Sequence, residues 1–143
     1  MRFWDSSAVV PLLVHQKASP LADDWLGQDS EIAIWTLTPI EVLSAVRRLV
    51  RERALTEALG AEAEQRADEL ARACHVVVDV EGAKDQARRL LRLHQLRAAD
   101  ALQLAAALLW SRGSPTAKTF HTFDERLAAA AAREGFRAVP APP

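Results

Sequence analysis

Along this chain the apolar positions change their period many times. Met1-Arg2-Phe3-Trp4 and residues 31–36, Glu-Ile-Ala-Ile-Trp-Thr, have the β-branched and aromatic character of strands. Shorter runs at 75–80, 119–122 and 136–139 read the same way. Between them the period lengthens: Val42, Leu43, Val46, Leu49 and Val50 fall on one face of a helix. Helices are also predicted from Ser6 or Ser7 onward and over 20–26, 57–73, 81–94, 98–110 and 124–134. Ser19-Pro20 and Thr38-Pro39 each pair a capping hydroxyl with proline at the first helical position. Pro11 falls close enough to a helix start to be tolerated. Strands alternating with helices predict one α/β domain over residues 1–139, a parallel sheet of four to five strands with helices on both faces. The closing Pro140-Ala141-Pro142-Pro143 propagates neither helix nor central strand and is expected to be a frayed tail.

Composition narrows the classes. A chain of 143 residues is large enough to bury a core without disulfides. Cys74 is the single cysteine, which rules out an internal disulfide and a cysteine-rich zinc site and suits a reducing cytoplasm. Nothing near Met1 resembles a secretory apolar core, and no apolar run reaches the roughly 18 residues of a membrane span. A cytoplasmic protein with no membrane partner is expected. Net charge is −1, so no global basic field attracts nucleic acid. Two local clusters remain: Arg47, Arg48, Arg51 and Arg53, then Arg88, Arg89, Arg92 and Arg97. They are either the rim of a nucleic-acid site or solvated helix faces paired with glutamates. The four histidines lack paired ligand spacing, and no phosphate loop, nucleophile elbow or dinucleotide fingerprint is present. Trp4, Trp25, Trp35 and Trp110 are scattered over separate elements and read as core or interface rather than a stacking platform. Leu12, Leu13, Val14, Trp25, Leu49 and Val50 exceed what one small core needs, so part of them is expected to receive a partner.

Asp5, Glu41, Asp100 and Asp124 each stand where one element gives way to the next. A parallel sheet gathers such junctions at the carboxyl ends of its strands. Converging carboxylates repel and need a cation; hard oxygen donors favour Mg²⁺ or Mn²⁺. Each acid also has an ordinary explanation. Asp5 and Asp124 suit helix N-caps, though Ser6 and Ser7 offer to cap in place of Asp5. Glu41 lies three residues after Thr38, as in a capping box. Asp100 sits among Ala98, Ala99, Ala101 and Leu102 in a helix expected to be largely buried, where an unpaired acid is costly. It calls for a metal ion or an arginine such as Arg97. Together the four acids suggest metal-dependent hydrolysis of phosphate esters.

Four segments carry a family resemblance: Phe3-Trp4-Asp5-Ser6-Ser7-Ala8, Thr38-Pro39-Ile40-Glu41-Val42, Leu96 to Ala105 around Asp100, and Thr122-Phe123-Asp124-Glu125-Arg126-Leu127. In order and spacing, over nearly the whole chain, they resemble the PIN-domain ribonucleases, and among those the VapC-type toxins of toxin–antitoxin pairs. The resemblance implies that Asp5, Glu41, Asp100 and Asp124 hold one or two Mg²⁺ or Mn²⁺ ions, with Ser7 and Thr122 beside them. It implies an endoribonuclease, a small antitoxin partner that enters the active-site groove, and a homodimer. Gln103 departs from the family pattern, where many relatives carry histidine. The other readings are a PIN-like module that binds without turnover, or a metal-dependent phosphatase; against the latter, Asp5-Ser6-Ser7 lacks the second aspartate of the aspartyl-phosphatase motif.

Overall fold

The computed structural model describes residues 1–142, all but Pro143. Five short strands form one sheet: β1 (Arg2–Trp4), β2 (Ile32–Trp35), β3 (His75–Val77), β4 (Thr119–His121) and β5 (Arg137–Val139). Their order is β3-β2-β1-β4-β5 and every pairing is parallel. Seven helices connect them: α1 (Ser6–Leu13), α2 (Ser19–Gln28), α3 (Thr38–Arg51), α4 (Glu57–Ala73), α5 (Val80–Leu93), α6 (Ala98–Trp110) and α7 (Glu125–Arg133).

Side chains alternate across each strand, and this builds a core on either face of the sheet. Phe3, Ala33, Trp35, Phe120 and Ala138 face α5, α6 and α7. Trp4, Ile32 and Ile34 face α1 through α4. From β1 the chain winds outward through β2 to β3, then returns to the other side of β1 for β4 and β5. Connections leave β1 and β4 in opposite directions, so a crevice opens at their carboxyl ends, where ligands bind in open α/β sheets. Asp5 follows β1 and Thr122 follows β4, which places both at that crevice.

Several expectations need correction. Pro11 lies inside α1, not at its start. The tail, as expected, carries no helix or strand over 140–142, and Pro143 falls outside the described residues. The apolar surplus assigned to a partner is used internally. Leu13, Val14 and Trp25 are buried, and Leu12 and Leu49 pack against the same core, because four helices cover that face of the sheet; Val50 is partly buried against Gly60 of α4. The large apolar side chains left to solvent lie elsewhere, among them Leu37, Ile40, Val78 and Val80. No helix among the described residues is long and apolar enough to cross a membrane.

Candidate active site

The first carboxylate is held by its own helix start. Asp5 is the N-cap of α1, with one oxygen accepting from the Ala8 N–H (3.0 Å) and from Ser7 Oγ (2.7 Å). Thr122 Oγ1 donates to its other oxygen (3.1 Å). The expectation that Ser6 or Ser7 would cap in its place is therefore wrong: both hydroxyls lie within the helix and turn to other tasks. Ser7 Oγ accepts the Phe123 N–H (2.8 Å), and Thr122 Oγ1 accepts the Asp124 N–H (3.0 Å). Ser7 and Thr122 thus knit the loop after β4 to the start of α1, with Asp5 between them.

Glu41 does not close a capping box. Helix α3 takes Leu37 as its N-cap, with no side-chain cap, and Thr38 lies inside it. Glu41 instead accepts from Ser6 Oγ of α1 (2.8 Å), and the Gln103 amide of α6 works against the rise of its carboxyl. The Gln103 amide donates to Thr38 Oγ1 (3.1 Å) and is almost wholly buried. One amide therefore ties α6 to α3 beneath the carboxylate, a function invisible in a sequence where Gln103 is one polar residue in an apolar run.

Asp100 is only half buried, contrary to expectation, because it occupies the first turn of α6 where the helix emerges at the crevice. No ion pair within 4.0 Å joins it to Arg97 among the described residues. Asp124 caps α7 by accepting the Leu127 N–H (2.8 Å).

Electrostatics links these acids in series. Burial pushes the Asp5 carboxyl up to about 7, against the pull of its three hydrogen bonds, and the charge of Glu41 adds to the rise. Glu41 is raised by burial and by Asp100; Asp100 is raised by burial and by Asp124. Two clefts meet over this row. A cleft of about 840 Å³ is lined by Asp100, Asp124, Arg97 and Arg126, and one of about 420 Å³ by Ser6, Ser7, Glu41 and Arg48. Phe123 lines both. The arginine clusters divide accordingly: Arg48 and Arg97 reach the clefts, whereas Arg47, Arg88 and Arg89 pair with Glu57 and Glu64, Asp85, and Glu134.

Residues 2–133 match the family model of the PIN domain. The chain is a PIN-domain protein. It is 34% identical over 140 residues to ribonuclease VapC45 of Mycobacterium tuberculosis, covering 97% of this chain and 94% of that one. Its fold is similar to that of a toxin–antitoxin complex from Klebsiella pneumoniae, with a TM-score of 0.65, 17% identity and coverage of 90% and 91%. It is equally similar to FitAcB from Neisseria gonorrhoeae, with a TM-score of 0.66, 17% identity and coverage of 96% of each chain.

The donor set of this PIN domain fits a hard divalent cation in chemistry and in charge. Glu41 lines one cleft, Asp100 and Asp124 line the other, and Asp5 is buried beside them; burial and mutual repulsion hold three of the four above their ordinary pKa values, a cost that a cation relieves. They form a row, not a closed cage: among the described residues no three His, Cys, Asp or Glu side chains stand close enough together to hold an ion as they are. Capping explains part of this, since Asp5 and Asp124 each commit an oxygen to a helix N-terminus.

Proposed function

We propose that this PIN-domain chain is a Mg²⁺- or Mn²⁺-dependent endoribonuclease and the toxin of a toxin–antitoxin pair, silenced by a small antitoxin. The observation that carries the reading is the meeting of Asp5, Glu41, Asp100 and Asp124, from four separate segments, at the switch point of the sheet between two arginine-lined clefts. The resemblance to a curated ribonuclease over 97% of the chain supports it.

Asp5, Glu41, Asp100 and Asp124 would hold the cation. When bound, it supplies a Lewis acid that polarises the phosphodiester, eases loss of a proton from water and offsets charge on the leaving oxygen. The chain's own residues do the rest. Ser7 and Thr122 fix the Asp5 carboxylate from two sides, and Ser6 holds Glu41. Glu41 or Asp124 orients the attacking water and takes its proton. Arg48 at one end and Arg97 with Arg126 at the other bind the phosphates flanking the scissile one.

The test is cleavage of a single-stranded RNA by wild type and by Asp100→Asn, with Mg²⁺, with Mn²⁺ and in EDTA. Wild type should cleave with either ion and lose activity in EDTA. Asp100→Asn should be inactive yet melt at the same or a higher temperature without metal, because one repulsive charge is gone. Full cleavage in EDTA would sink the metal reading. The partner is tested separately by co-expression with the adjoining small open reading frame. A stable complex that cleaves no RNA until the partner is stripped away is expected, with a basic side chain of the antitoxin reaching the acids. A neighbour that neither binds nor inhibits removes the toxin assignment and leaves the nuclease. The homodimer implied by family resemblance is checked by light scattering of the purified chain.

A further inference from the structure

One aromatic ring stands where the two clefts meet. Phe123 contributes to the wall of both, with Glu41 and Arg48 on one side and Asp100, Asp124, Arg97 and Arg126 on the other. It is held unusually firmly for a residue in a loop. Its N–H donates to Ser7 Oγ (2.8 Å), and the next residue, Asp124, is tied to Thr122. Its ring stacks on Trp25, with centroids 4.9 Å apart and planes inclined by 20°. Trp25 in turn stacks on His121 at 4.5 Å and meets Trp4 edge-on at 5.9 Å. Trp4, Trp25 and His121 are buried, so Phe123 is the half-buried end of an aromatic column that rises from the core into the site. Among the described residues His121 has no hydrogen-bond partner on either ring nitrogen, so it serves this column as a flat surface and not through polar bonds.

We infer that Phe123 is the platform on which a base beside the scissile phosphate stacks, and hence a substrate-positioning residue; this rests on the ribonuclease reading above. A single strand whose phosphates reach Arg48 in one cleft and Arg97 or Arg126 in the other crosses Phe123 on the way, and the acids lie along both sides of that crossing. Every base presents a π-face, so stacking here fixes the strand without reading its sequence. A ring backed by Trp25 and anchored through its own backbone is already ordered, and little freedom is lost when a base settles on it.

The test is a set of short single-stranded RNAs in which each ribose in turn lacks its base, cleaved with Mg²⁺ by wild type, Phe123→Leu and Phe123→Trp. Leucine keeps apolar packing on Trp25 but removes the aromatic face; tryptophan keeps the face. With wild type, removing the base at one position next to the cleaved bond should lower kcat/KM by about 10- to 100-fold. Phe123→Leu should show the same loss on intact RNA, no further loss when that base is missing, and recovery in Phe123→Trp. Equal penalties for Phe123→Leu at every abasic position, that position included, would overturn the platform and leave the ribonuclease standing. So would a wild-type scan in which no single base matters, an outcome independent of whether the leucine variant folds. Failure of wild type to cleave any intact RNA removes the ribonuclease reading itself, and the platform with it.

Discussion

Asp5 and His121 lie on adjacent strand ends, joined by the Asp5 N–H to the His121 carbonyl (3.1 Å), and burial moves their side chains in opposite directions. The Asp5 carboxyl rises to about 7. The His121 imidazole falls to about 4 by burial, with Arg2 and Arg137 helping and Asp29 opposing. For His121 the unfolded chain binds a proton, below the ordinary imidazole value of 6.5, that the fold refuses until about 4, so stability present above 6.5 is lost as pH falls through that window, by on the order of 3 kcal/mol. For Asp5 the fold holds a proton that the unfolded chain releases, so stability is greatest below 3.8 and declines as pH rises towards 7. Melting curves in EDTA from pH 4 to 8 separate the two. His121→Phe should flatten the acid limb, and Asp5→Asn should raise the melting temperature at pH 8 more than at pH 5. An acid limb unchanged in His121→Phe would rule out the buried imidazole as its cause. The four acids were legible in the sequence because a carboxylate at an element junction is conspicuous. Phe123 and Gln103 were not, because a phenylalanine beside a strand and a glutamine in an alanine-rich helix look like packing and surface until the partner elements are in place.

At the scale of the elements, capping and site chemistry turn out to be one arrangement. In the sequence, ligand and cap look like rivals for Asp5 and Asp124, yet each carboxylate caps its helix at the carboxyl end of a strand, because an N-cap follows a strand end by construction here. Period and composition were enough to place every strand and helix to within a few residues. They were not enough to show where α3 begins, since its real N-cap, Leu37, carries no capping side chain. Nor do they show how closely α3 and α4 approach. Gly60 in α4 lies under Val50 of α3, and a Cβ there would stand 2.6 Å from Val50 Cγ2. Alanine is the better helix former by about 1 kcal/mol. Val50 is β-branched and stiff, so overpacking should win and Gly60→Ala should lower stability by roughly 1–2 kcal/mol. The double variant with Val50→Ala should recover part of it, measured by urea denaturation. A stabilised Gly60→Ala single variant would mean that α4 shifts freely against α3.

For the whole molecule, the sheet class was readable from alternation of periods, but the strand order was not. That order decides the function, because only the reversal at β1 puts the loops after β1 and β4 side by side. The charge distribution belongs to the same scale. With a net charge of −1 and acids at its centre, the chain offers a polyanion no general attraction. On the ribonuclease reading, binding of RNA must then depend on the few arginines at the clefts, Arg48, Arg97 and Arg126, and not on those already paired, such as Arg47 and Arg89. Each phosphate contact by a single strand contributes about 0.7 to the slope of log affinity against log salt. Arg97→Gln and Arg126→Gln should therefore each weaken binding of a labelled single-stranded RNA and reduce that slope by about 0.7, if each holds one phosphate. Arg89→Gln should leave slope and affinity unchanged, and lose only its ties to Gln86 and Glu134. Fluorescence anisotropy over a salt series distinguishes these outcomes. Equal effects from Arg89 and Arg97 would show that the strand is attracted by diffuse surface charge, and the path through the two clefts would have to be abandoned.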